Sequence, residues 1–281
     1  MKTFFALVLT LIFSCYATAQ YYYDDFKATA DLETAMKGYL NANVASFVAI
    51  GYDQRGNRNR DFQETHTIST TDRSWRKVSR NGFSVIRQTF RFSNNGLLSS
   101  ISDSSNGITT LTEFEYGLSG ITVVNIIASD SASEFNRKEK RIYQYNPSGV
   151  PTSLLRIIDD RDTIRFKLIA DEKNRIVEER LDRPGSNASN DFVYYYYNDQ
   201  DQLTDLVRYD KFLKKLMPER MFEYDAEGRV IQMITMLSTR SGDFLTWRYA
   251  YNSQGLKSRE ALFNRQREQT GRIDFSYSFS Q

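Results

Sequence analysis

His66 is the only histidine of the chain, and so the only side chain whose ordinary pKa suits proton transfer near neutral pH. It stands in Gln63-Glu-Thr-His66-Thr with no partner at metal-ligand spacing, and it reads as a solvent-facing strand residue. Three acidic pairs, Asp24-Asp25, Asp159-Asp160 and Glu178-Glu179, carry the carboxylates that glycoside hydrolysis requires. Adjacent strand residues point to opposite faces, so none of these pairs converges by itself. Gly117-Leu-Ser-Gly120 is one residue short of a nucleophile elbow. Asn198-Asp-Gln-Asp201 offers calcium-type oxygens, but a turn at that place needs the same residues. No glycine-rich phosphate loop is present. The expectation is a non-catalytic chain with no metal and no cofactor; a glycosidase-type enzyme would need carboxylates that meet from distant parts of the chain.

The residues with the most to offer are aromatic. In Tyr194-Tyr-Tyr-Tyr197, one alternate pair must face each side of a strand. Tyr195 and Tyr197 fit a repeated inward pattern, which leaves Tyr194 and Tyr196 on the other face as a candidate platform for a sugar or a protein partner.

That pattern organises the chain. In Phe222-Glu-Tyr224-Asp225-Ala-Glu-Gly228-Arg-Val230, two aromatics share a strand face, an Asx residue opens a turn and a glycine closes it. The other copies are Phe90/Phe92 to Gly96, Phe114/Tyr116 to Gly120, Tyr143/Tyr145 to Gly149, Leu168/Ala170 to Asn174, Tyr195/Tyr197 to Asp201 and Tyr249/Tyr251 to Gly255. A weaker copy runs from Ile50/Tyr52 to Gly56. Where glycine is missing, Asn174 and Asp201 stand in, the two types that best tolerate positive φ. From Phe92 to Tyr251 the steps are 24, 29, 25, 27, 27 and 27 residues, the length of two strands, a tight turn and a short loop.

Phe222-Glu-Tyr-Asp-Ala-Glu-Gly-Arg-Val resembles the YD repeat of Rhs-type and teneurin-like proteins. The copies are also similar to repeats in uncharacterised exported proteins of Bacteroidota, some of them described as having a porin-like curled sheet. The resemblance covers about residues 48–281 and implies β-hairpin architecture, not an Rhs activity. Asp130-Ser131-Ala132 and Asp162-Thr163-Ile164 resemble the O-glycosylation site of exported Bacteroidota proteins, which makes Ser131 and Thr163 candidate acceptors.

Residues 1–19 read as a signal peptide: Lys2, an apolar run from Phe4 to Phe13, and Ala17-Thr18-Ala19 as the cleavage site. The rival is lipidation at Cys15, the only cysteine. Cleavage after Ala19 makes the chain exported, to the periplasm, the cell surface or the medium, with no thiol left for chemistry. A net charge of +2 gives no electrostatic case for nucleic acid. Residues 20–30 read as a tail or a first edge strand. Leu32, Ala35, Met36, Tyr39 and Leu40 lie on one face of a short helix with Asp31 as its N-cap, placed to cover an open end of a sheet.

The expected architecture is all-β: 1–19 leader, 20–47 N-terminal segment with one short helix, and 48–281 a single antiparallel meander of seven to eight hairpin repeats, curled or barrel-like, with about 14–17 strands. The leading functional expectation is an exported binding or scaffold module for a glycan or an envelope protein. The alternative is an outer-membrane β-barrel. Glu178-Glu179 and Arg259-Glu260 oppose the latter, because one residue of each pair must face outward.

Overall fold

The computed structural model describes residues 20–130, 132, 135–182, 192–210, 213–238 and 242–280. The first strands are β1 Val44–Asp53, β2 Arg58–Ser69, β3 Ser74–Asn81, β4 Ser84–Phe92, β5 Leu98–Ser105 and β6 Ile108–Gly117. Then come β7 Gly120–Asp130, β8 Asn136–Tyr145, β9 Pro151–Ile158, β10 Asp162–Ala170, β11 Ile176–Leu181 and β12 Phe192–Tyr197. The last are β13 Leu203–Asp210, β14 Lys215–Tyr224, β15 Val230–Ser238, β16 Asp243–Tyr251, β17 Lys257–Phe263 and β18 Gln269–Phe279. Each strand pairs antiparallel with the next, and β18 pairs with β1 from Val44↔Phe279 to Asp53↔Gly271. The 18-stranded meander therefore closes on itself, which removes the unpaired edges an open sheet would expose.

The repeat gives the hairpins their geometry. Asp225 Oδ1 accepts the Glu227 and Arg229 N–H groups at 3.1 and 2.8 Å, and Gly228 N–H closes on the Asp225 carbonyl. The same closure recurs at Ser93, Asn146, Asp171, Asn198 and Asn252. Gly228 adopts φ 80°, and the substitutes Asn174 and Asp201 adopt 64° and 61°. Gly96, Gly149 and Gly255 share this region of positive φ. Register shifts fall just before the second face residue, as at Glu223/Tyr224 and Ala250/Tyr251, which is the bulge expected at the hairpin tip.

Two turns depart from the pattern. Gly120, at φ 126°, pairs directly with Gly117 in a tighter connection. The weak copy ending at Gly56 lies on the opposite rim, because strands alternate in direction and β1–β2 joins at the other end. A further turn of the same build, Asn264 to Glu268 with Arg267 at φ 63°, shares that rim and was hidden by its arginine.

The N-terminal segment is neither tail nor strand. Tyr23–Lys27 forms a wide helical turn that runs into α1, Ala28–Asn41. Asp31 therefore lies inside the helix and does not cap it. Chain closure explains the difference: with β1 and β18 paired, no edge is free to receive another strand. A segment enclosed by the wall must bond its own backbone, which a helix does. Its side chains meet strands around the ring. Tyr21 packs on Phe166, Tyr22 on Tyr195, Tyr23 on Phe222 and Phe26 on Tyr143, while Tyr39 packs on Phe47 and Trp75. The helix thus plugs the barrel, and the inward aromatics of the repeats form its socket. The sheet begins at Val44, four residues before the expected start of the repeat region.

Candidate functional site

On the inner wall the polar side chains bind one another. His66 is 5% exposed, not solvent-facing as its local sequence suggests, because Glu64, His66 and Ile68 share the inward face of β2. Trp75 Nε1, a donor only, gives its proton to His66 Nδ1 at 2.9 Å, so Nε2 carries the ring proton toward Glu64 Oε2 at 3.3 Å. The ring also stacks on Phe47 at 4.0 Å. Both nitrogens are occupied, and burial pushes the His66 pKa down. Burial alone would raise the Glu64 carboxyl, but the His66 hydrogen bond and Lys77 hold it at about 2. Lys77 and Trp75 likewise point inward, with Arg76 between them outside.

The acidic pairs separate. Asp24 is exposed, whereas Asp25 is buried and accepts from Arg141 Nη1 at 2.6 Å and from the Tyr143 hydroxyl at 2.5 Å. Both lie on a helix, so the strand rule never applied to them. Asp159 and Asp160 form the β9–β10 turn at φ 50° and 57°. Glu178 faces outward, and Glu179, fully buried, faces the plug. Glu179 Oε1 and Oε2 accept the Tyr21 and Tyr22 backbone N–H groups at 3.2 and 2.9 Å, and Oε2 accepts the Tyr195 hydroxyl at 3.1 Å. Burial pushes its carboxyl up to about 7 despite these three donors. Arg141 and Arg156 flank Glu139 at 2.7 and 2.5 Å and stack over Tyr21. No group of metal-ligating side chains exists among the described residues. In the Asn198 turn, Asn198 Oδ1 accepts two backbone N–H groups and Asp201 pairs with Arg175 at 2.6 Å, so its oxygens are committed.

The outer wall has a different character. Tyr194 and Tyr196 do point outward, paired across strands with Val207 and Asp205 of β13. Tyr196 is 47% exposed. Phe192 joins them, 4.9 Å from Tyr194 and 5.8 Å from Tyr209, so four aromatic rings line the outside of β12 and β13. Glu178 and Arg180, 3.5 Å apart on β11, and Asp205 supply polar groups at its margins. Apolar ring faces beside fixed donors and acceptors are what a sugar ring needs, since its C–H face stacks and its hydroxyls bond. Only register places Tyr209 beside the tyrosines, whereas Phe192, two residues before Tyr194 on the same strand, follows from alternation alone. Thr163 is exposed on the outer face at the start of β10, and Ser131 lies outside the described residues.

No protein-family profile and no curated protein matches this chain. Among solved structures it is similar to a porin-like protein from Bacteroides uniformis at 9% identity, covering 84% of this chain and 98% of that one with a TM-score of 0.43. A porin-like protein from Bacteroides vulgatus gives 12% identity, the same coverages and a TM-score of 0.28. A TcdB2-TccC3 structure gives 11% identity over 83% of this chain and 14% of that one, with a TM-score of 0.34.

Proposed function

We propose that the chain is an exported, non-catalytic binding module: a water-facing barrel, filled by its own N-terminal helix, that presents an aromatic strip to a glycan of the cell envelope. The carrying observation is the outer wall. Arg87, Glu113, Lys140, Arg165 and Arg248 stand exposed near the middles of their strands, with Arg76, Arg91, Lys167 and Arg259 on the same surface. In a bilayer each mid-strand Arg or Lys would cost about 2–4 kcal/mol, and these are spread round the ring. In water they keep the wall soluble. The repeats, read as YD-type hairpins, act as the scaffold, and the export reading rests on residues 1–19.

A membrane barrel is the second reading, favoured by one observation: the meander closes. Closure is what a lipid-spanning sheet requires. Purification of residues 20–281 without detergent separates the two. A monodisperse, β-rich species supports the water-facing barrel; aggregation rescued by detergent into a heat-modifiable form overturns it. Glycan-array binding of the soluble species then tests the strip. Binding lost in the Tyr194→Ala/Tyr196→Ala double variant supports the assignment, and equal binding by the variant removes the strip from the reading.

A further inference from the structure

The plug begins at a buried carboxylate that lacks a cation. Glu179 faces the Tyr195 hydroxyl from β12 and Tyr21, Tyr22 and Asp25 from the plug, and it forms no ion pair among the described residues. The lumen arginines are engaged elsewhere: Arg141 by Asp25 and Glu139, Arg156 by Glu139, Arg208 by Glu219, and Arg220 over the Tyr23 ring. Gln20 is 7% exposed and donates its side-chain amide to Glu219. Its backbone nitrogen is one residue, at most about 3.6 Å of chain, from the Tyr21 nitrogen that Glu179 already binds.

We propose that the α-ammonium group created at Gln20 by hydrolysis of the Ala19–Gln20 bond is the missing cation, docking beside Glu179 inside the barrel and locking the plug. The inference rests on the export reading only for the cut itself. In that cut, water breaks the C–N bond: its hydroxyl goes to the Ala19 carbonyl carbon and its proton to the Gln20 nitrogen. The resulting amine is protonated near neutral pH, its ordinary pKa being about 7.7–8.0. Leader removal thus supplies a positive charge to a site that the uncut chain leaves with carboxylate and neutral donors alone. Processing thereby completes the charge pairing at the head of the plug.

Two measurements test this on chains made to begin at Gln20, so neither depends on where the protein is exported. The first compares thermal midpoints at pH 7 with an otherwise identical chain carrying Gly-Ser ahead of Gln20. The free-amine chain melts at least about 2 °C higher, and the gap closes in Glu179→Gln and above the pH at which the amine loses its proton. Equal midpoints, or a gap that persists in Glu179→Gln, overturn the proposal. The second needs no variant: labelling of the α-amine with 2-pyridinecarboxaldehyde proceeds at least tenfold more slowly in the folded chain than in urea. An amine that labels as fast folded as unfolded overturns it.

Discussion

At the scale of single residues, two positions carry sharp consequences. Glu179 shifts from an ordinary 4.5 to about 7 because burial disfavours its charge. In a chain extended upstream of Gln20, the folded state keeps this proton where the unfolded chain has lost it. The Glu179 contribution to stability is then full below about pH 4.5 and is lost as pH rises to about 7, about 3 kcal/mol in all. Urea denaturation across that window measures the slope, and Glu179→Gln removes the Glu179 share of it, leaving that of Asp24 and Asp31, whose carboxyls burial also pushes up to about 6. Gly228 holds φ 80°, and a Cβ there would meet Gln202 Nε2 at 3.0 Å. Gly228→Val should therefore cost about 1–3 kcal/mol, since a β-branched residue resists that backbone. Unchanged stability would mean the turn is not built as described.

At the scale of the hairpin, the repeat explains its own consensus. Tyr224 donates its hydroxyl to the Leu203 carbonyl, Tyr251 to Val230 and Tyr197 to Ile176, at 2.7, 2.7 and 2.8 Å. Each acceptor carbonyl belongs to the first residue of the previous return strand, so each of these tyrosines ties its hairpin to the one before. The arginine after the turn looks both ways: Arg229 bonds Asp225 at 2.6 Å and lies 4.6 Å over the Tyr251 ring of the next hairpin. Arg175 repeats this with Asp171 and Tyr197. Sequence inspection finds these residues and their spacing, but which partner each one bonds depends on register. Tyr224→Phe keeps the packing and removes one hydrogen bond, so the expected loss is about 1 kcal/mol by urea denaturation. No loss would demote the hydroxyl contacts to incidental ones.

At the scale of the whole molecule, the plug and the wall are one folding unit. Two buried clusters line the lumen, one gathered round Tyr21 and Tyr23 and the other round Met36. The wall alone would expose both sets of aromatics to water inside the ring. Deletion of residues 20–41 should abolish cooperative thermal unfolding and leave a species that binds a hydrophobic dye. A sharp melting transition in the deleted chain would show that the wall stands by itself. The same packing holds His66 between Trp75 and Glu64, so His66→Gln should lower stability, measured by urea denaturation.

The chain's own pattern determined the hairpins. Period, face alternation and turn residues are local, and they fix where the chain reverses and which side chains share a face. Even the substitutions Asn174 and Asp201 were legible, because positive φ is a property of one residue and its neighbours. What the pattern left open was decided by contacts between distant parts. Closure depends on β1 meeting β18, more than two hundred residues away. Once closed, the barrel denied the N-terminal tyrosines a sheet edge and made a strand-like stretch helical. Closure also set which face of the wall is inside, and so buried His66 and turned Glu179 instead of Glu178 toward the plug. Binary pattern names two faces, but only the sign of the curvature says which of them meets water.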